Sequence, residues 1–149
     1  MPQGGIEDGE DPRSAALREL QEETGIVSVE IIAEVPHWLT YDFPPSVKAK
    51  VNRLWGGQWN GQAQKWFLMK LTRDDNEVNI ANGMESEFSE WKWASPEEVV
   101  EQAADYKRPT YEEVMGTFMP YLNSKATSER IHAPNARQAR LENLVSFHF

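Results

Sequence analysis

The stretch Gly4-Gly5-Ile6-Glu7-Asp8-Gly9-Glu10-Asp11-Pro12-Arg13-Ser14-Ala15-Ala16-Leu17-Arg18-Glu19-Leu20-Gln21-Glu22-Glu23-Thr24-Gly25-Ile26 decides the reading of the chain. Asp11 is a good N-cap and Pro12 a good first helical residue. Ala15, Ala16, Leu17 and Leu20 favour a helix with an apolar stripe, and Gly25 supplies a stop. A helix from about Pro12 to Thr24 follows. Glu19, Glu22 and Glu23 stand at i, i+3 and i+4 and share one arc of it. Like charges so close repel and raise one another's pKa, so the arrangement makes sense around a divalent cation. Hard oxygen donors point to Mg2+ or Mn2+, which keep several waters and bind substrate phosphates at the same time. For an isolated pattern of this kind, a solvated acidic face is the commoner outcome.

The full pattern weighs against that outcome. The stretch resembles the Nudix box, G-x5-E-x7-R-E-U-x-E-E-x-G-U with U aliphatic, at every constrained position. The resemblance implies metal-assisted hydrolysis of a diphosphate bond, and an α/β fold in which a mixed β-sheet lies between helices. In that family the box follows opening strands, so the chain, which enters the motif at Gly4, reads as beginning inside the fold and lacking its N-terminal strands.

Length and composition bound the rest. The 149 residues suit one domain with one core, supplied with six Trp and six Phe. The absence of cysteine excludes disulfides and thiolate metal sites and fits an intracellular protein. No apolar run is long enough to span a membrane. The net charge of -9 disfavours broad nucleic-acid binding but leaves room for one phosphorylated end at a local basic cluster. Oligomeric state carries no signal.

Beyond the helix, Ser28 to Val35 alternates as a strand and Pro36 closes it. His37 to Pro45 reads as an ordered aromatic loop, Ser46 to Leu54 as a short helix, and Trp55 to Gly61 as a Gly-rich turn. Gln62 to Leu71 is apolar on both parities and predicts an interior strand. Val78 with Ile80, and Glu90 to Ala94, suggest two short strands. Helices are expected from Pro96 to about Ala104 and from Pro109 to about Met119, the second ending before Pro120. The domain is placed at 1–124. The tail 125–149 sets Lys125, Arg130, Arg137 and Arg140 against Glu129 and Glu142 and reads as flexible or weakly helical, with no chemistry assigned.

Further segments narrow the resemblance. Trp38 to Pro44, Gly61 to Phe67, Glu87-Phe88 with Trp91 and Trp93, and Lys107-Arg108 with Tyr111 are similar to the plant-type diadenosine tetraphosphate hydrolases and the bacterial RNA 5'-pyrophosphohydrolases. That similarity implies metal held by the Gly4 carbonyl and by Glu19, Glu22, Glu23 and Glu87, with Arg18 bracing Glu10. It makes Glu22, Glu23 and Glu87 the catalytic carboxylates and leaves open which of them is the base. Tyr41 would stack an adenine, and Lys65 and Tyr111 would hold polyphosphate oxygens. Read alone, Tyr41 is equally a core residue, Lys65 a solvated strand residue and Lys107-Arg108 an ordinary basic helix start. Trp66, Trp91 and Trp93 are assigned to packing. The leading expectation is asymmetric hydrolysis of diadenosine tetraphosphate to ATP and AMP, in cytosol or plastid. RNA 5'-triphosphate ends are the alternative substrate, and a silent nucleotide-binding remnant is the alternative of another class.

Overall fold

The computed structural model describes residues 1–73, 78–80, 90–132 and 145–148. Helix α1 spans Pro12–Thr24 and is built from the local signals that predict it. The Asp11 carboxylate accepts from the amides of Arg13 at 3.0 Å and Ser14 at 3.2 Å, Pro12 opens the first turn, and Gly25, at φ 73°, donates back to the Gln21 carbonyl at 2.8 Å.

Strand β1 (Val29–Glu34) is followed by β2 (Leu39–Asp42), helix α2 (Pro45–Trp55) and strand β3 (Gly61–Leu71). Helices α3 (Pro96–Gln102) and α4 (Arg108–His132) come next, then β4 (Val145–His148). A capping box of Ser95 and Glu98 starts α3, each side chain accepting from the other's backbone amide.

β3 is the centre of the sheet and pairs with β1, β2 and β4. All three pairings are antiparallel, so among the described residues the mixed sheet expected from the resemblance gives way to an antiparallel one. β1 pairs Val29 with Leu71 and Glu34 with Phe67, with a bulge between Ile31 and Ala33, and β2 pairs Tyr41 with Gln62 and Asp42 with Gly61. β4 lies along Gln64 to Phe67.

Both faces of β3 are covered, as its two apolar parities require. Phe67 and Met69 pack with Ala16, Leu20 and Ile26 on the α1 side. Trp66 and Leu68 pack with Val35, Leu39, Val114 and Phe118 on the α4 side. The architecture is therefore α/β, a sheet sandwiched between helices.

Three further readings are corrected. Leu39–Asp42, taken as loop, is strand β2: Leu39 and Tyr41 are buried and Thr40 and Asp42 exposed, an alternation too short to stand out between Pro36 and Pro44. Val78 and Ile80 form no strand, although Val78 packs on the α1-side core and Asn79 donates to the Thr24 carbonyl at 2.7 Å; residues 90–94 form none either. Helix α4 runs through Pro120 instead of ending before it. A proline costs one backbone hydrogen bond there, and the burial of Leu122 against the α4-side core offsets it.

Gly61 locks the register of β2 on β3. A Cβ built there would stand 2.1 Å from the Tyr41 carbonyl oxygen, backbone that cannot swing aside. Gly61→Ala is expected to cost about 1–3 kcal/mol of stability in a chemical melt. Gly116→Ala, which meets nothing within 4 Å in mid-helix, should hold or raise it.

Candidate active site

Arg18 organises the acidic face of α1. Its Nε and Nη2 donate to the two Glu10 carboxylate oxygens at 3.0 and 2.9 Å, a bidentate pair, and Nη2 also reaches the Gly5 carbonyl at 2.7 Å. Its Nη1 donates to Glu19 at 2.8 Å and to Glu22 at 3.0 Å. These partners, Glu10 foremost, push the guanidinium pKa above its ordinary value. Arg18 in turn holds the Glu10 carboxyl below the usual carboxylate range, helped by the Glu7 amide. A depressed carboxylate pKa stabilises the fold above the unfolded value and is lost as pH falls through the folded one, so this brace loosens only in acid.

The residues before the helix close over the same face. The Gln3 amide donates to a Glu23 carboxylate oxygen at 3.0 Å, and Glu23 is only 7 % exposed. Gly4 lies directly on the Glu19 carboxylate: a Cβ there would fall 1.8 Å from Glu19 Cδ. Gly5 holds Arg18. Gln3, Gly4 and Gly5 thus form a strap, each touching a different member of the charged face.

Glu19 and Glu22 converge on one guanidinium nitrogen, while Glu23 turns to the strap. Among the described residues no three carboxylates or imidazoles close on a common point in metal-binding geometry. The donor set nevertheless fits a hard divalent ion. Three carboxylates, Glu10, Glu19 and Glu22, meet a single guanidinium, Glu23 follows Glu22 on the same helix, and the Gly4 cradle leaves the Glu19 carboxylate space that any side chain would fill. Glu87 lies outside the described residues.

The predicted substrate residues divide between the two faces of the sheet. Lys65 is on the α1 side, its ammonium on the Val35 carbonyl at 2.7 Å and 3.8 Å from Glu34, which also pairs with Arg13 of α1 at 3.7 Å. Tyr41 is on the α4 side and only 8 % exposed. Its hydroxyl donates to Gln62, and burial pushes its pKa up to about 12. Its ring meets the edges of Phe43 at 6.0 Å and Tyr106 at 5.5 Å, and the Lys107 ammonium lies 5.7 Å from its centroid.

Tyr111 sets its ring at 80° to Trp66, 5.1 Å away, and burial raises its pKa as well. It also lines a cavity of about 480 Å³ with Leu20, Thr24, Met69, Trp91 and Trp93. The cavity runs beside α1 next to the strap, since Pro2 lines it too. Its volume is in the range of small-ligand sites. Trp91 and Trp93, assigned to packing, form an edge-to-face pair in its wall, with Trp91 44 % exposed.

Tyr106 and the role of Lys107 escaped the sequence reading. Lys107 lies 6.0 Å from the Tyr106 centroid and is buried enough to lower its pKa. The signal available was the adjacency of an aromatic and a cation just before α4, too common to single out without the contact to Tyr41.

Comparison with known proteins gives the family. Residues 1–115 match the NUDIX domain. The chain is 74 % identical over 126 residues to Nudix hydrolase 25 of Arabidopsis thaliana, covering 83 % of this chain and 72 % of the relative. It is 58 % identical to the chloroplastic Nudix hydrolase 26 of the same plant, covering 82 % of this chain and 57 % of that one. It is 52 % identical to an RNA pyrophosphohydrolase of Cereibacter sphaeroides, covering 82 % and 74 %. Among the described residues no helix is long and apolar enough to cross a membrane. With its box intact and the Arg18 brace formed, the chain belongs to the Nudix hydrolase family and is a pyrophosphohydrolase.

Proposed function

We propose that the chain hydrolyses dinucleoside polyphosphates with Mg2+ or Mn2+, cleaving diadenosine tetraphosphate to ATP and AMP. The observation that carries this reading is the carboxylate face of α1, fixed by Arg18 and strapped by Gln3, Gly4 and Gly5, with Pro2 before the strap lining a cavity of small-ligand size. The Gly4 carbonyl, Glu19, Glu22 and Glu23 would hold the metal, joined by Glu87 as a further ligand or as the base. The bound ion would supply positive charge against the polyphosphate and make the attacking water more acidic.

The protein's own groups supply the rest. Arg18 keeps Glu19 and Glu22 in register on the helix face. One of Glu22, Glu23 and Glu87 takes the proton of the water that adds to phosphorus, and the bridging P–O bond to the neighbouring phosphate breaks. Tyr41, with Tyr106 at its edge, offers the adenine an aromatic site, and Lys107 beside the two rings adds a cation. Lys65 and Tyr111 bind polyphosphate oxygens. Both Lys65 and Tyr41 are engaged with protein neighbours, so substrate binding there exchanges one contact for another. The chloroplastic relatives support a plastid as one working compartment, with the cytosol the other.

RNA 5'-triphosphate ends are the second reading, favoured by the 52 % identity to an RNA pyrophosphohydrolase. Both substrates offer a base joined to several phosphates. A competition assay with equal concentrations of the two tests the order: preference for diadenosine tetraphosphate supports the first reading, and preference for RNA replaces it with the second.

Tyr41→Ala is expected chiefly to raise KM for an adenine dinucleotide, because stacking acts alike on substrate and transition state. Lys65→Ala should lower kcat as well, since its contact strengthens as charge develops on phosphate. Steady-state kinetics of the two variants separate the roles. Small, equal effects on both constants would return the two residues to purely structural duty.

A further inference from the structure

The excursion between β2 and β3 has no part in the reaction described above, yet it exposes cations and large aromatics together. Helix α2 carries Lys48, Lys50 and Arg53 and no acidic residue, in a protein of net charge -9. At its end Trp55 and Trp59 are 59 % and 51 % exposed, next to an exposed Leu54. The two indoles stand edge to face, 6.4 Å apart at 83°.

They are held in place. The Trp59 amide donates to Asn52 at 2.6 Å and its indole Nε1 to the Gly56 carbonyl at 2.7 Å. The turn needs glycine at Gly56, φ 71°, and at Gly57, φ 97°, conformations that side chains rarely adopt. The base of the excursion is closed by Phe43 donating to the Asn60 carbonyl at 2.7 Å and by the Asp42–Gly61 pair, one register step from Tyr41 and Gln62. Along the chain Trp59 is therefore within about 11 Å of the Tyr41–Gln62 pair.

We propose that α2 and the Trp55–Trp59 pair form a stacking platform for single-stranded RNA running away from a phosphorylated 5' end whose base is held at Tyr41. This deepens the reading of the chain as a polyphosphate hydrolase by giving the RNA substrate class its own surface. Fixed aromatic faces beside cations are what sequence-tolerant single-strand binding uses. A basic helix without carboxylates offers a polyanion a local site on a protein whose net charge is negative. An anionic bilayer is the other polyanion to weigh, and the structure disfavours it. The Trp59 N–H, which would reach a headgroup, is already bonded to Gly56, and Val47 and Val51 of α2 are half-buried instead of free for lipid.

The test measures polarisation of a labelled, short 5'-hydroxyl RNA oligomer, which carries no scissile phosphate, so binding is read independently of hydrolysis. The unaltered chain should bind it, W55A/W59A about tenfold more weakly. K50Q/R53Q should bind more weakly with a shallower salt dependence. Both variants should hydrolyse diadenosine tetraphosphate at the parental rate. Equal affinity of all three proteins for the oligomer overturns the platform, as does tryptophan-dependent binding to phosphatidylserine vesicles without RNA binding. If W55A/W59A fails to fold, K50Q/R53Q on the exposed helix still decides it: undiminished oligomer binding refutes the proposal. Loss of the platform with hydrolysis intact leaves the proposed function standing, and loss of hydrolysis in the unaltered chain removes that function separately.

Discussion

Glu22→Gln and Glu23→Gln should each lower turnover by at least about a hundredfold while leaving the fold nearly unchanged, because the loss falls on metal and transition-state charge instead of packing. Glu22 lies at the open end of the Arg18 network, paired with Nη1 and half exposed, so its amide costs the protein little. Glu23 is buried and accepts from Gln3, and an amide oxygen can still accept that bond. The check is single-turnover kinetics at limiting and saturating Mg2+, beside thermal melts of both variants. Near-parental turnover at limiting metal in both would remove these carboxylates from the mechanism.

Gly4→Ala should act through geometry alone. The new methyl group would enter the space of the Glu19 carboxylate, 1.8 to 2.1 Å from its atoms, and the flexible end of Glu19 must leave. Arg18 would lose one of its partners, while Glu10 and Glu22 keep it in place. Displacing a reacting group by about 1 Å costs on the order of a hundredfold in rate, so activity should fall by roughly ten- to a hundredfold with little change in melting temperature. Gly5→Ala, which meets nothing within 4 Å, is the control and should stay close to parental. Equal activities of the two variants would mean that Glu19 has no fixed place in the chemistry.

The contrast between these neighbouring glycines marks how far the sequence could be read. Helix α1 was legible to its last residue because its signals are local: the Asp11 cap, Pro12 and Gly25 each act within a turn of the helix end. β3 was legible because both parities are apolar, and the structure extends it by one residue, to Gly61. β2 was not, since four residues between prolines mean little until Gln62 and Gln64 pair with them from across the sheet. Helix α4 outran its predicted end because the packing of Leu122 is tertiary and Pro120 is local. The antiparallel pairing of the described strands could not be read from segments whose partners are remote.

The site divides in the same way. The shared face of Glu19 and Glu22 and the Arg18–Glu10 pair were readable from spacing and resemblance, whereas the turn of Glu23 towards Gln3 was not. The strap was not, because the bond from Gln3 to Glu23 joins residues that share no pattern. Nor was the division of Lys65 from Tyr41 across the sheet, which depends on which parity of β3 faces α1.

The most direct test of the central claim, that the strapped acidic face of α1 is a metal-dependent diphosphate-cleaving centre, is product analysis of diadenosine tetraphosphate turned over by the chain with Mg2+ and with EDTA. The account predicts equimolar ATP and AMP with Mg2+ and no products with EDTA. Symmetric cleavage to ADP, or hydrolysis that persists unchanged in EDTA, would contradict it.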